Sequence, residues 1–356
     1  MNKDIQPFLI EMDTDIKHAM RQLEDSAHKI LFVVKDNSQL VGTLTDGDIR
    51  RWILREGNLN DTIGQICNKS PYYVQGKYAF PEIKKEMLER NIQCVPVVND
   101  QNEVTELIFW DAVFKEDGIE KPLRQLDLPV VIMAGGKGTR LDPFTKILPK
   151  PLIPIGDKSI IEIIIDSFLA YGVKKFYITL NYKSKIIKSY FEELAPSYLV
   201  EYVYEDKPRG TAGSLKYLTG KINSSFVVTN CDILIHSDYS DLIDFHNNNS
   251  NDITMVASMK NYHIPYGICE IENGGTLKSI TEKPEYNFLV NTGMYVVRPE
   301  TLSLIPDNEI FHMTQLIEKV KAQGGKIGVF PITESSWLDT GEWAEYKKVM
   351  QHLKLD

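Results

Sequence analysis

Cysteine is scarce in this chain, and its few copies form no pattern. The four residues Cys67, Cys94, Cys231 and Cys269 lie far apart. They have neither the paired spacing of a zinc site nor the density of a disulfide scaffold, so they read as reduced, mostly buried thiols of a cytosolic protein. Long apolar runs are missing as well. No run reaches the 18 residues expected of a membrane helix, and the most apolar stretch, residues 159–170, is interrupted by Glu162 and Asp166. The opening residues, Met1-Asn2-Lys3-Asp4-Ile5-Gln6, contain no apolar signal-peptide core. Positive charge is not in excess either: 40 Lys and Arg stand against 49 Asp and Glu, for a net charge of −9. That balance lacks the footprint of a nucleic-acid-binding protein. Any phosphate ligand must then be held by local cations, backbone dipoles or a metal rather than by a global field. The expectation is a cytoplasmic protein with neither nucleic-acid nor membrane partners.

Two common nucleotide-binding signatures are also absent. There is no G-x-x-x-x-G-K-[ST] loop, and the glycine cluster at 135–138 lacks the third glycine of G-x-G-x-x-G. Residues 130–154, VVIMAGGKGTRLDPFTKILPKPLIP, offer something else. The apolar run 130–133 reads as a buried strand that empties into Gly135-Gly136-Lys137-Gly138-Thr139-Arg140, with Lys146 and Lys150 beyond. Such a loop presents backbone N–H groups at the carboxyl edge of a sheet, where phosphates bind. Its glycines let the main chain approach a phosphate without an intervening Cβ. Arg140 and Lys150 add positive charge, and Pro149 and Pro151 stiffen the backbone around Lys150.

With 356 residues, 43% apolar and 25% charged, the chain has room for two or three globular domains. The polar segment 115–128 divides it. Ahead of that segment lies a weak repeat offset by about 63 residues. Each copy has a predicted helix (16–25, 80–90), then a strand (29–37, 93–100), then a second strand leading to an acidic helix start at Asp48 or Asp111. Both aspartates also suit helix capping. Beyond the divide, strands at 130–133, 175–180, 199–204, 226–229 and 253–258 alternate with helices at 159–171, 184–193, 211–218 and 239–248. Gly172 is placed to close the first of these helices. The alternation predicts an α/β fold with a Rossmann-like, mostly parallel sheet. Residues 268–295 read as strand-rich, with a hairpin turn at Asn273-Gly274.

Further motifs fall at predicted strand ends. Glu205-Asp206-Lys207-Pro208-Arg209-Gly210-Thr211-Ala212-Gly213-Ser214 is a second glycine loop opening a helix, where a flat base could lie against backbone and negative charge is favoured. A capped helix start at Thr211 is the plainer reading. Asp232 ends the apolar strand 226–229, and Asp339 lies in Trp337-Leu338-Asp339-Thr340-Gly341-Glu342-Trp343. Paired carboxylates suit a phosphate-bridging Mg²⁺. Asp339 could equally cap a final helix, with Glu342 completing the box.

In order, G-G-x-G-T-R-L, P-K-P-L, G-T-A-G, the strand-end Asp232, Y-G, E-K-P, N-T-G and W-x-D-x-G resemble the sugar-1-phosphate nucleotidyltransferases across residues 129–343. The N-terminal repeat resembles a CBS pair, a regulatory module. The fusion is similar to glucosamine-1-phosphate and mannose-1-phosphate guanylyltransferases of nonulosonic acid pathways. The resemblance implies a CBS pair over 1–120, a linker over 121–128 and a transferase domain over 129–356. It implies transfer of a nucleoside monophosphate from an NTP, GTP favoured, to a sugar 1-phosphate, hexosamine favoured, with release of pyrophosphate. Uridylyl, thymidylyl or cytidylyl transfer is the alternative, and a non-catalytic nucleotide sensor is the reading from another class. By the same resemblance Arg140, Lys150, Asp232 and Lys283 are catalytic, and Asp232 and Asp339 hold Mg²⁺. Ala134, Gly135, Gly136, Gly138, Thr139, Gly210, Thr211 and Gly213 bind the nucleotide. Gly267, Glu282, Asn291 and Thr292 line the sugar site. At Asp232 the chain departs from the family's usual G-D, with Cys231 in place of the glycine. In the CBS pair, Gly42, Thr45 and Asp48 fit the family's nucleotide-contacting element, so Thr45, Asp48 and Asp111 are the expected contacts for an adenosine nucleotide. The second copy keeps only Asp111 of that element. CBS pairs associate face to face, which implies a homo-oligomer.

Overall fold

The computed structural model describes residues 5–26, 29–36, 38–90, 92–110, 113, 123–341, 343 and 346. Asp111, expected as a regulatory contact, and Glu342, expected to complete a capping box, lie outside these residues. The chain forms two compact units, Met1–Pro122 and Leu123–Asp356.

The first unit is built twice from one plan. In the first copy β1 (Leu9–Glu11) pairs parallel with β2 (Ile30–Lys35), which pairs antiparallel with β3 (Gln39–Thr45). In the second, β4 (Val74–Gln75), β5 (Cys94–Val98) and β6 (Val104–Phe109) repeat that arrangement. The helices Ile16–Asp25 and Phe80–Arg90 fall on the predicted spans. Each copy has an apolar core of its own, and a further cluster is shared between them. Phe32, Val34 and Leu40 of the first pack with Cys94, Val98 and Val104 of the second in one apolar cluster. Backbone bonds from Leu40 to Asn102 and from Val104 to Ser38 join the two sheets.

The second unit is organised around a seven-stranded sheet. Its strands are β7 (Val130–Met133), β10 (Lys175–Leu180), β11 (Leu199–Tyr204), β12 (Phe226–Asn230), β14 (Ile253–His263), β17 (Glu285–Val297) and β18 (Ile327–Ile332), in the order β11-β10-β7-β12-β17-β14-β18. Only β17 runs antiparallel to its neighbours. Residue alternation explains why both faces are covered. Val130 and Ile132 point into a core with Ile164 and Phe168, while Val131 points into another with Leu215 and Leu316. The helix Ile160–Leu169 starts at a capping box, in which Ser159 Oγ accepts from the Glu162 N–H and the Glu162 carboxylate accepts from the Ser159 N–H. That helix ends two residues short of the predicted limit, and Gly172 takes a left-handed φ of +73°.

Three smaller pairings complete the unit. The first is a hairpin of β8 (Pro154–Ile155) and β9 (Lys158–Ser159). The second joins β13 (Ile233–Ile235) antiparallel to β19 (Trp337–Asp339). The third joins β15 (Ile268–Ile271) to β16 (Leu277–Thr281). The β15–β16 turn is longer than a two-residue Asn-Gly hairpin and uses both Gly274 and Gly275 at positive φ. Residues 123–128, the described part of the expected linker, are packed onto this unit, where the Leu126 N–H donates to the Tyr171 carbonyl at 2.8 Å. Among the described residues no helix is long and apolar enough to cross a membrane.

Candidate active site

The order in which strands are added to the sheet reverses between β7 and β12, which run parallel. From β7 the chain builds outward through β10 to β11, then returns to place β12 on the other side of β7. Ligands of such sheets bind at this switch point, beyond the carboxyl ends of the strands. Four parallel strands empty there: β7 into Ala134 and the glycine loop, β10 into Asn181, β11 into Glu205, and β12 into Cys231 and Asp232.

The three glycines of the first loop differ in what they do. Gly138 has φ +68° and lies so close to Lys150 that a Cβ would meet the Lys150 Cβ at 2.9 Å. Gly135 lies beside Glu205, whose Oε1 would be 3.0 Å from a Cβ. Gly136 has neither a left-handed backbone nor any atom within 4 Å of a Cβ position. The fold gives no reason for glycine at 136, and the space beside it is where a phosphate can approach backbone. Ala134 is buried, with its N–H donating to the Thr179 carbonyl at 3.1 Å, so it supports the loop from below. Thr139 and Arg140 are exposed on the short 3-10 turn that follows.

The two distant carboxylates meet. The β13–β19 register sets Asp339 opposite Ile233, next to Asp232. Thr340 secures this junction: its N–H and its Oγ1 both donate to the Asp232 carbonyl at 2.8 Å. The absent side chain of Gly341 makes room, since a Cβ there would lie 2.7 Å from Asp339 Oδ1, 2.9 Å from Asp232 Oδ2 and 3.1 Å from Lys150 Nζ. Lys150 is buried and donates to Asp232 Oδ2. Burial holds the Asp339 carboxyl above the usual carboxylate range. The charge of Asp232 pushes it the same way, while a backbone bond from Gly341 and the charges of Lys150 and Arg140 pull it back. Burial likewise pushes the neighbouring Cys231 thiol up to about 12, so it is inert filling beside Asp232.

A divalent cation fits this cluster. The Asp232 and Asp339 carboxylates are neighbours, and burial and the charge of Asp232 both hold the Asp339 pKa up. Among the described residues no group of three or more His, Cys, Asp or Glu side chains could hold a metal ion. A hard cation that takes one or two carboxylates and completes its shell with phosphate oxygens suits two such ligands.

The glycines of the second loop also have a packing role. Gly210 has φ +77°, and a Cβ there would come within 2.6 Å of the Phe311 carbonyl. The Ala212 and Gly213 N–H groups both donate to that carbonyl, at 2.9 and 3.0 Å. Thr211 Oγ1 accepts from the Met313 N–H at 3.0 Å. Gly210 is thus required by close packing against the segment leading into the helix Met313–Ala322, and Gly213 by the Arg209 Cβ, 2.7 Å from where its own Cβ would lie. The group that faces the first loop from this side is Glu205, to which the sequence assigned no role. Its carboxylate accepts from the Arg209 N–H at 3.1 Å, and burial raises its pKa. A carboxylate at the end of an edge strand, five residues before Gly210, was its only signal.

The expected sugar-site residues form two groups. Glu282 Oε2 lies 2.9 Å from where a Gly267 Cβ would be, which brings Gly267 and Glu282 together. Asn291 and Thr292 are bound within the fold. Asn291 Nδ2 donates to the Tyr295 hydroxyl at 2.7 Å, and Thr292 Oγ1 donates to the Val256 carbonyl at 2.9 Å. Next to them Gly293 has φ +88°, and a Cβ there would collide with the Asn230 amide. Lys283 is exposed just past β16 and has no hydrogen bond or ion pair among the described residues.

In the first unit, Thr45 caps the helix Asp46–Ile53, with Asp48 as its capping-box partner. Asp48 Oδ2 accepts from the Thr45 N–H at 2.8 Å and from Thr45 Oγ1 at 2.7 Å, and Oδ1 accepts from Arg51. The capping reading of Asp48 therefore describes the structure.

Residues 129–355 match the Nucleotidyl transferase family, and residues 1–55 match the CBS domain. The chain belongs to the nucleotidyl transferase family. Among curated proteins it is similar to the mannose-1-phosphate guanyltransferase of Yarrowia lipolytica, 33% identical over 49% of this chain and 50% of that protein. It is also similar to that of Saccharomyces cerevisiae, 29% identical over 60% of this chain and 61% of that protein. The chain thus spans about half to three-fifths of these relatives' length. A crystal structure from Bacillus anthracis, provisionally assigned as a glucose-1-phosphate thymidylyltransferase, matches with a TM-score of 0.50 at 20% identity, over 63% of this chain and 94% of that one. That likeness supports the fold alone.

Proposed function

We propose that the chain transfers a guanylyl group from GTP to a hexose 1-phosphate, giving a GDP-sugar and pyrophosphate. The observation that carries this reading is the meeting of Asp232, Asp339 and Lys150 beneath the glycine loop, at the switch point of the sheet. The names of the curated relatives agree with it. Guanine is favoured by Glu205. A carboxylate only accepts hydrogen bonds, and among the common bases only guanine presents two adjacent donors, N1–H and the N2 amine, on its pairing edge.

The loop backbone around Gly136 and the Arg140 guanidinium bind the β- and γ-phosphates. Lys150 is engaged by Asp232 and holds that carboxylate in place while sitting within reach of the α-phosphoryl group. Asp232 and Asp339 are the residues that would hold Mg²⁺, which when bound draws charge from the phosphate oxygens. A sugar phosphate oxygen forms the new bond to the α-phosphorus, and the bond to the bridging oxygen of pyrophosphate breaks. Because that nucleophile is already anionic near neutral pH, no general base is needed, and positioning with charge stabilisation does the rest. Gly267 and Glu282 mark the sugar side, where Glu282 accepts from sugar hydroxyls.

A grid of the four NTPs and uridine's thymidine counterpart against mannose 1-phosphate, glucosamine 1-phosphate and glucose 1-phosphate, read by pyrophosphate release with Mg²⁺, tests the proposal and names the substrates. No turnover anywhere would favour a non-catalytic sensor. Within the productive pair, Lys283→Ala should raise the KM for the sugar phosphate or lower kcat, about tenfold or more, with the KM for NTP little changed. Lys283 is the cation that holds the phosphate of the incoming sugar phosphate in this reading, and an unaltered response to sugar phosphate removes it from that role. For the CBS pair, an adenosine nucleotide would have to draw Asp48 away from Thr45 and Arg51. Calorimetry of the full chain with AMP should give binding that Thr45→Val weakens, and an absence of heat leaves the pair as a scaffold or a homo-oligomer contact.

A further inference from the structure

The strands that carry the catalytic groups at their carboxyl ends carry a different cluster at their amino ends. A cleft of about 540 Å³ opens there, lined by residues 125–129 ahead of β7, by Lys174 and Lys175 at the start of β10, and by residues 221–224 ahead of β12. Three lysines face it: Lys174, Lys175 and Lys221. Asp127 is the one carboxylate in its wall. Lys175 is held by Glu201 at 2.9 Å and lies 4.8 Å over the Tyr177 ring, so its position is fixed. The ammonium groups of Lys174 and Lys221 have no ion-pair or hydrogen-bond partner among the described residues, and Asn223 and Ser224 add polar groups beside them. Like charges gathered in one concavity repel unless an anion joins them, and lysine is a point-charge binder of phosphate. The volume lies in the range of small-molecule sites.

We infer that this cleft is a second anion site, distinct from the catalytic one, that takes an oligophosphate group. Its geometry also gives it a route to the catalytic edge. β7 joins the two through four residues, about 13 Å of rigid strand, and β10 and β12 make the same connection in parallel.

Titrating the full chain with inorganic tripolyphosphate by calorimetry at low ionic strength tests this. The Lys174→Gln/Lys221→Gln variant should bind one equivalent fewer than the wild type, with unchanged melting temperature and unchanged basal turnover. A control, Lys185→Gln/Lys188→Gln, removes the same charge from the helix Ser184–Leu194 and should keep the wild-type stoichiometry. Equal stoichiometry in the wild type and the first variant overturns the proposal. So does an equal loss in both variants, which would assign the binding to overall charge. Neither result would bear on the catalytic reading, which the pyrophosphate assay tests separately.

Discussion

Asp232→Ala should lower turnover by about 10²–10³-fold or more, the scale on which loss of one group that stabilises developing charge is felt. Stability should fall as well, because Lys150 and Asp232 are a buried pair with side chains only 9% and 12% exposed. Removing one partner of a buried pair costs about 3–5 kcal/mol, and the neighbouring Asp339 carboxylate offsets part of that here. The two losses can be separated. Asp232→Ala combined with Lys150→Met removes the orphaned charge, so the melting temperature should largely recover while activity does not. Pyrophosphate release on the productive substrate pair and thermal melting check both halves. Near-normal activity in the single variant would refute the role of Asp232, and recovery of activity in the double variant would reduce the pair to a structural one.

Glu205→Gln should change which base is used. Glutamine replaces one acceptor oxygen with a donor, and that donor meets a guanine N–H head on. Discrimination resting on a bidentate pair is about 1–3 kcal/mol, or roughly 5- to 150-fold. The expected result is a fall of that size in kcat/KM for GTP and a smaller change for UTP. Ratios of kcat/KM across the NTPs measure it. An unchanged ratio would place base recognition elsewhere, since Glu205 also serves the fold by accepting from the Arg209 N–H. Because burial raises the Glu205 pKa, preference for GTP should also decline on the acid side, as the carboxylate gains a proton and with it a donor.

Much of the fold was legible because local patterns and tertiary demands agree. β7, β10 and β11 sit on their predicted spans, since buried parallel strands are short apolar runs bounded by turns. The doubled plan of the first unit was visible as an offset repeat. What was hidden depends on pairings between distant segments. β13 and β19 are three residues each, too short to show a period, yet their register is what brings Asp339 beside Asp232. The sheet's single antiparallel member, β17, is a strand by pattern, but its direction is set by its neighbours. Glycines were legible as glycines and not as causes. At 136 the reason is open space, whereas at 210 it is the Phe311 carbonyl pressing close and at 213 the Arg209 Cβ. Asn291 and Thr292 matched a family motif, and their side chains turn out to bond within the sheet.

The pairing of β13 with β19 has a consequence for how the molecule comes into being. The glycine loop, Lys150 and Asp232 are all present once two-thirds of the chain has been made, and β7, β10 and β12 can already form a sheet around them. Asp339, Thr340 and Gly341 come later, with Thr340 108 residues after Asp232. Until they dock, Asp232 lacks both the second carboxylate and the hydroxyl that grips its carbonyl. A chain still emerging during synthesis can therefore have a nearly complete scaffold and no complete catalytic centre. Contacts between such remote segments are also the slow ones to form. The β13–β19 pairing therefore ties readiness for chemistry to the docking of a distant segment.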